Sequence, residues 1–198
     1  MERGADMKAI MISIRPEWIA KILNGKKTIE IRKRFPKDYV GWVYIYCTKE
    51  QGLARLYNGR WNDTFVCEKD ITDNEFKRMY SGYDGKGKVV ARFWCDKVEE
   101  THIYAKNHED NALLKNSCLT VNEFMNYLGN KSYGYAIHIT KVKPFDKPKE
   151  IKEFNVMREY TNCGRCPHAL EFGCSSNGWC GTIKSLTRAP QSFMFIEI

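Results

Sequence analysis

The stretch Gly25-Lys26-Lys27-Thr28-Ile29-Glu30-Ile31-Arg32 constrains the fold more than any other part of the chain. Asn24-Gly25 closes the preceding amphipathic run in the manner of a left-handed helix cap. Thr28 to Arg32 then alternates polar with apolar, the period-2 pattern of a half-buried strand. On such a strand Thr28, Glu30 and Arg32 share one face, while Ile29 and Ile31 point the other way into a core. A hydroxyl, a carboxylate and a guanidinium in a row fit two readings. One is a solvated sheet face with ion pairs. The other is the wall of a cleft that offers a donor, an acceptor and a bidentate cation. Lys26 and Lys27 add positive charge just upstream. Lys27 is out of step with the polar face, so a regular strand points it away unless a bulge or the turn at Gly25 redirects it.

The elements around this stretch follow from the same patterns. Residues 9–14 form a short apolar strand, and Pro16 suits the first turn of a helix carrying Trp18, Ile19, Ile22 and Leu23 on one stripe. A basic turn over 33–41 leads to an aromatic strand over 42–48. Residues 50–87 read as an insertion, with a helix opened by the capping box Thr72-Asp73-Asn74-Glu75 and a loop at Gly82, Gly85 and Gly87. Residues 88–98 and 133–142 are further strands. Between them, a second capping box, Thr120 to Glu123, opens a helix bearing Phe124, Tyr127 and Leu128. Pro144 and Pro148 are expected to break the chain into an extended connector, and residues 192–198 form the last strand. The result is an α+β fold, a small β-barrel with short flanking helices. Residues 1–8 form an N-terminal tail, and 9–198 are one domain, a size usual for a single core.

Charge and composition point toward anionic partners. The formal net charge is +8 and the pI near 9.0, which favours nucleic acid through phosphate neutralisation. Lys21, Lys26, Lys27, Arg32, Lys33, Arg34 and Lys37 crowd the opening stretch, and Tyr39, Trp42, Tyr44 and Tyr46 follow at once. No run approaches a membrane span, and the first residues lack a secretory signal, so a cytoplasmic protein is expected, with no membrane partner. No Gly-rich phosphate loop or Ser-His-Asp pattern is visible. His102, His108 and His138 stand alone, without a cysteine or carboxylate at motif spacing.

The eight cysteines divide into two groups. Cys47 and Cys95 lie in apolar, strand-like runs and behave as small buried hydrophobes, with Cys67 and Cys118 scattered elsewhere. Cys163, Cys166, Cys174 and Cys180 cluster in a Gly/Ser/Asn-rich loop over 160–184. Their spacing suits a closed tetrahedral site for a structural zinc ion. Two disulfides, or an iron–sulfur cluster on the same thiolates, are the alternatives. With four cysteines sufficient, His168 is read as a solvated loop histidine.

Gly25-x-Lys27-x-x-Glu30-x-Arg32 resembles the G-x-K-x-x-E-x-R signature of ASCH domains, members of the PUA-like superfamily. The order of strand, short helix ending in Asn-Gly, motif strand and aromatic strand agrees with it. The closing segment Arg188-Ala189-Pro190-Gln191-Ser192-Phe193 is similar as well. The resemblance covers roughly residues 9–48, 88–99, 120–154 and 185–198, and is silent on the insertion and the cysteine cluster. It implies a closed or nearly closed PUA-like β-barrel of ASCH type, with the motif strand in a cleft and an RNA-related role. One branch with this fold hydrolyses N4-acetylcytidine with a lysine and a threonine on this strand. Its lysine falls on Lys27, but its threonine falls on Glu30, and Thr28 lies two residues away, ~6–7 Å along the strand.

The leading expectation is therefore binding of RNA or a nucleotide-like ligand by Lys26, Lys27, Thr28, Glu30, Arg32, Trp42 and Tyr44. Glu30 would accept from a base amine, Arg32 would hold a phosphate or a carbonyl edge, and an aromatic ring would stack on a base. The alternative is a hydrolase acting on a modified nucleoside or RNA, with Lys27 and Glu30 as catalytic candidates. A third reading is a protein-interaction module whose contact surface is the zinc loop.

Overall fold

Residues 9–12 of the first strand, Ala-Ile-Met-Ile, are apolar without alternation, as a strand covered on both faces requires. In the computed structural model all four are fully buried. The structure describes residues 8–56, 63–72, 74, 82–102, 112–129, 131, 133–159 and 181–197. Strand β1 (Lys8–Ile14) lies between β3 (Gly41–Cys47), which runs parallel to it, and the antiparallel β10 (Phe193–Glu197). Beyond β3 come β6 (Val89–Thr101), β7 (Gly134–Lys149) and the motif strand β2 (Ile29–Arg32). Beyond β10 come β8 (Asn155–Glu159) and β9 (Gly181–Ser185). A hairpin of β4 (Leu53–Leu56) and β5 (Thr64–Cys67) stands apart as a second sheet.

The sheets are accompanied by the α-helices α1 (Pro16–Leu23), α2 (Ala112–Ser117) and α3 (Val121–Leu128), and by short 3-10 turns at Glu68–Asp70 and Ile151–Glu153. Alternation along β1 and β3 creates two cores. Ile10, Ile12, Val43 and Ile45 meet Ile19 and Ile22 of α1 on one face. Ala9, Met11, Tyr44 and Tyr46 meet Phe154, Leu186 and Ile196 on the other. A third cluster seats Leu114, Phe124 and Leu128 of α2 and α3 on Ile29 and Ile31.

Several expectations change. The ladder runs from β2 to β9 without those two strands pairing, so the eight-stranded sheet is open rather than a closed barrel among the described residues. Within the segment 50–87, read as an insertion, Leu53, Phe65 and Tyr83 belong to the main core. Pro144 and Pro148 do not end the strand; β7 continues to Lys149, with register shifts along its ladder with β6 where Pro144 sits opposite Ala91. Proline is tolerated where the ladder is already interrupted. Helix α2 had no counterpart in the sequence reading, whereas α3 carries the full capping box between Thr120 and Glu123. Of the helix expected after Thr72 only residue 74 is described, in helical conformation, and the cluster Cys163, Cys166, Cys174 and Cys180 lies outside the described residues. Strands β8 and β9 bracket that cluster and pair Glu159 opposite Gly181.

Candidate functional site

The motif acquires its geometry at the end of α1. The backbone N–H groups of Lys26 and Lys27 both donate to the Lys21 carbonyl, at 2.8 and 3.0 Å. Gly25 takes φ +73°, a conformation that glycine adopts without steric cost. This tight winding settles the orientation of Lys27 before β2 begins at Ile29, so strand alternation does not govern it. Its Nζ lies 3.4 Å from Glu30 Oε2 and donates to the Ser117 carbonyl at 2.6 Å. The turn at Gly25 therefore places Lys27 with Glu30.

Glu30 and Arg32 point to the main-core side of β2, since Glu30 is opposite Ile137 and Arg32 opposite Tyr135. Arg32 Nε is 3.0 Å from Glu30 Oε1, and Nη2 donates to the Ser13 carbonyl at 2.7 Å. The Nε–H is not aimed along its contact, so Nε is buried in charge contact with Glu30 but without a hydrogen bond. The side chains of Lys27, Glu30 and Arg32 are 2%, 10% and 10% exposed. The result is a buried chain of cation, carboxylate and cation, carrying one net positive charge.

Two aromatic residues complete the surroundings. Trp18 of α1 places its ring 5.2 Å from Lys27 Nζ. Tyr127 of α3, a residue 39% exposed, is within electrostatic reach of Arg32 and Glu30; partial desolvation of its hydroxyl raises it above the ordinary value, and Arg32 pulls against that shift. Trp18 also forms one wall of a groove of about 390 Å³ shared with Lys21, Asn24, Lys26, Cys67 and Glu123. Lys27, Glu30 and Arg32 do not line that groove.

Of the residues singled out in the sequence, the structure brings together Lys27, Glu30 and Arg32. Lys26 and Thr28 are exposed beside them. Trp42 and Tyr44 are not brought to this cluster, because they alternate with Val43 and Ile45 and so occupy the opposite sheet face. Sequence reasoning took Trp18 and Tyr127 only as members of helical stripes and did not single out Ser117. His138, which lacked a partner at motif spacing, has one through strand pairing: its Nε2 is 2.7 Å from Glu99 Oε2. Lys97 and then His138 hold the Glu99 carboxyl below its ordinary value.

No family model matches the chain. A curated protein of Zymomonas mobilis subsp. mobilis, named an ASCH domain-containing ribonuclease, is 26% identical over 84 residues. The match covers 34% of this chain and 57% of the relative, so the chain spans little more than half the length of that protein. Among solved structures, the ASCH protein from Zymomonas mobilis is similar at 17% identity and a TM-score of 0.48, covering 74% of this chain and 76% of that one. A single-substitution variant of it is similar at 18% identity and a TM-score of 0.47, covering 75% and 80%.

Proposed function

Since the chain is an ASCH-domain protein, we propose that it binds RNA or a nucleotide-like ligand at the site built on β2. The observation that carries this reading is the buried Lys27–Glu30–Arg32 chain with its surplus positive charge. A buried cation without full compensation is costly, and an anionic or carbonyl-bearing ligand drawn to it would relieve part of that cost. Arg32 Nε, which has no hydrogen-bond acceptor, supports the same view. Exposed Lys26 and Lys33 extend positive charge toward solvent, and Lys33 Nζ stands 5.4 Å from the centroid of the Tyr127 ring. The pairing of Glu30 with two cations favours recognition over general-base work.

The test is a titration of short RNAs and mononucleotides against the parent and Arg32→Lys, with the fold monitored by circular dichroism. Lysine keeps the charge and loses the planar fork. Folded Arg32→Lys should bind about tenfold more weakly, the loss of one charge-assisted hydrogen bond. Unchanged affinity would remove the site from the account.

A second reading, a hydrolase acting on RNA or a modified nucleoside, is favoured by the curated relative named a ribonuclease. Cleavage of RNA by the parent, abolished in Lys27→Ala, would promote it over binding alone. The thiolates of Cys163, Cys166, Cys174 and Cys180 are proposed to hold a structural zinc ion. The support is their spacing, with the ends of their segment held by the pairing of β8 and β9.

A further inference from the structure

The aromatic residues that do not reach the β2 site form a surface of their own. Strand pairing sets Trp42 opposite Trp94, and Trp94 in turn opposite Thr140. One step along, Tyr44 is opposite Arg92, and Arg92 opposite Lys143. These residues share the face of β3, β6 and β7 that turns away from the main core. Phe145 and Phe154 pack over Tyr44 and bury it. Trp42 and Trp94 remain partly open to solvent, their rings meeting edge to face at 5.4 Å.

Cations are threaded through these rings. Arg92 lies 4.3 Å from the Trp42 ring centroid, Lys143 5.5 Å from the same ring, and Lys141 5.7 Å from Trp94. Lys141 owes its position to a φ of +45° on the irregular stretch of β7. Arg92 donates to the Tyr44 hydroxyl at 3.2 Å. Among the described residues no carboxylate forms a salt bridge with Arg92, Lys141 or Lys143, so three positive charges are left unneutralised beside two half-open indoles.

We propose that this outer face, centred on Trp42, Trp94, Arg92, Lys141 and Lys143, is a second docking surface, and that its occupant is single-stranded nucleic acid. Charge complementarity argues for a polyanion. The open indoles argue for one with flat faces, because bases stack on aromatic rings whatever their sequence, while neighbouring cations follow the phosphates. A rigid duplex keeps its bases stacked on each other and would meet only the charges. The face lies on the side of the sheet opposite Glu30 and Arg32, so it is a separate site that would extend a strand engaged elsewhere on the molecule.

The experiment is a titration of a single-stranded twelve-nucleotide RNA, followed by tryptophan fluorescence and by anisotropy over a range of salt concentrations. The parent, Trp94→Ala and the pair Lys141→Gln with Lys143→Gln are compared. Trp94→Ala should weaken binding about tenfold, the loss of one stacked base. The lysine pair should lower the slope of log affinity against log salt by about 1.4, at roughly 0.7 per phosphate contact on a single strand. Both lysines are exposed, so this variant reports on binding even if Trp94→Ala unfolds. The proposal is overturned if the lysine pair leaves both affinity and slope unchanged, or if polyglutamate of equal charge displaces the RNA as well as RNA itself does. Arg32→Lys, which alters the other site, should leave the effect of the lysine pair on the salt slope intact when the two changes are combined. The two sites can therefore fail independently.

Discussion

Glu30 is the residue on which the motif turns, because it is the single carboxylate between two buried cations. Removing it leaves Lys27 and Arg32 facing each other without compensation. Glu30→Ala should cost about 3–5 kcal/mol of stability, the usual penalty for breaking a buried ion pair. Glu30→Gln should cost less, since an amide oxygen still accepts from one of the cations. Urea unfolding of both variants measures this, and an alanine variant within about 1 kcal/mol of the parent would mean that the chain of charges is energetically idle. At this scale the sequence was partly legible. Alternation correctly put Glu30 and Arg32 on one face and Ile29 and Ile31 on the other. It could not place Lys27, whose direction comes from the backbone winding at Gly25 rather than from the strand period. Nor could it show that Trp42 and Tyr44 face away from Glu30, since relative faces of distant strands depend on the course of the whole sheet.

Elements were more readable where local chemistry fixes them. Pro16 begins α1, Gly25 follows its end, and the Thr120–Glu123 box begins α3, each by a short-range backbone effect. Strands β8 and β9 and helix α2 escaped notice because little in their own sequence announces them. β8 is paired with β9 and, through Asn155 and Glu197, with β10; α2 is seated by Leu114 in the cluster over β2. β7 passed through two prolines because its ladder shifts register there, which a periodic pattern does not reveal. The bracketing of 160–180 by β8 and β9 gives the proposed zinc loop two anchored ends. Metal analysis of purified, fully reduced protein should find about one zinc per chain, as a four-thiolate site requires. Reduced protein free of metal would contradict the assignment.

For the molecule as a whole, the buried ionisable groups of the main core set an alkaline limit. Burial pushes the Cys47 thiol up to about 12 and the Cys95 thiol up to about 11, from an ordinary value of 9.0. It raises the hydroxyls of Tyr39 and Tyr83 as well. Each holds its proton more tightly in the folded chain than in the unfolded one. Their contribution is thus complete below the unfolded thiol value and is lost as pH rises through the folded ones. The urea midpoint should fall between pH 8 and pH 10.5, and fall less in Cys95→Ala; an unchanged midpoint would show that these groups ionise as readily inside as outside. Among the described residues no helix is long and apolar enough to cross a membrane. In a chain of net charge +8, two groups of cations stand out on opposite faces of the sheet: the buried cluster at β2, and Arg92, Lys141 and Lys143 on the open aromatic ladder of β3, β6 and β7. The central claim concerns the first of these. Its most direct measurement is RNA affinity in Arg32→Lys beside the parent under one buffer. A folded variant weakened about tenfold is the predicted result, and equal affinity in the two proteins would contradict it.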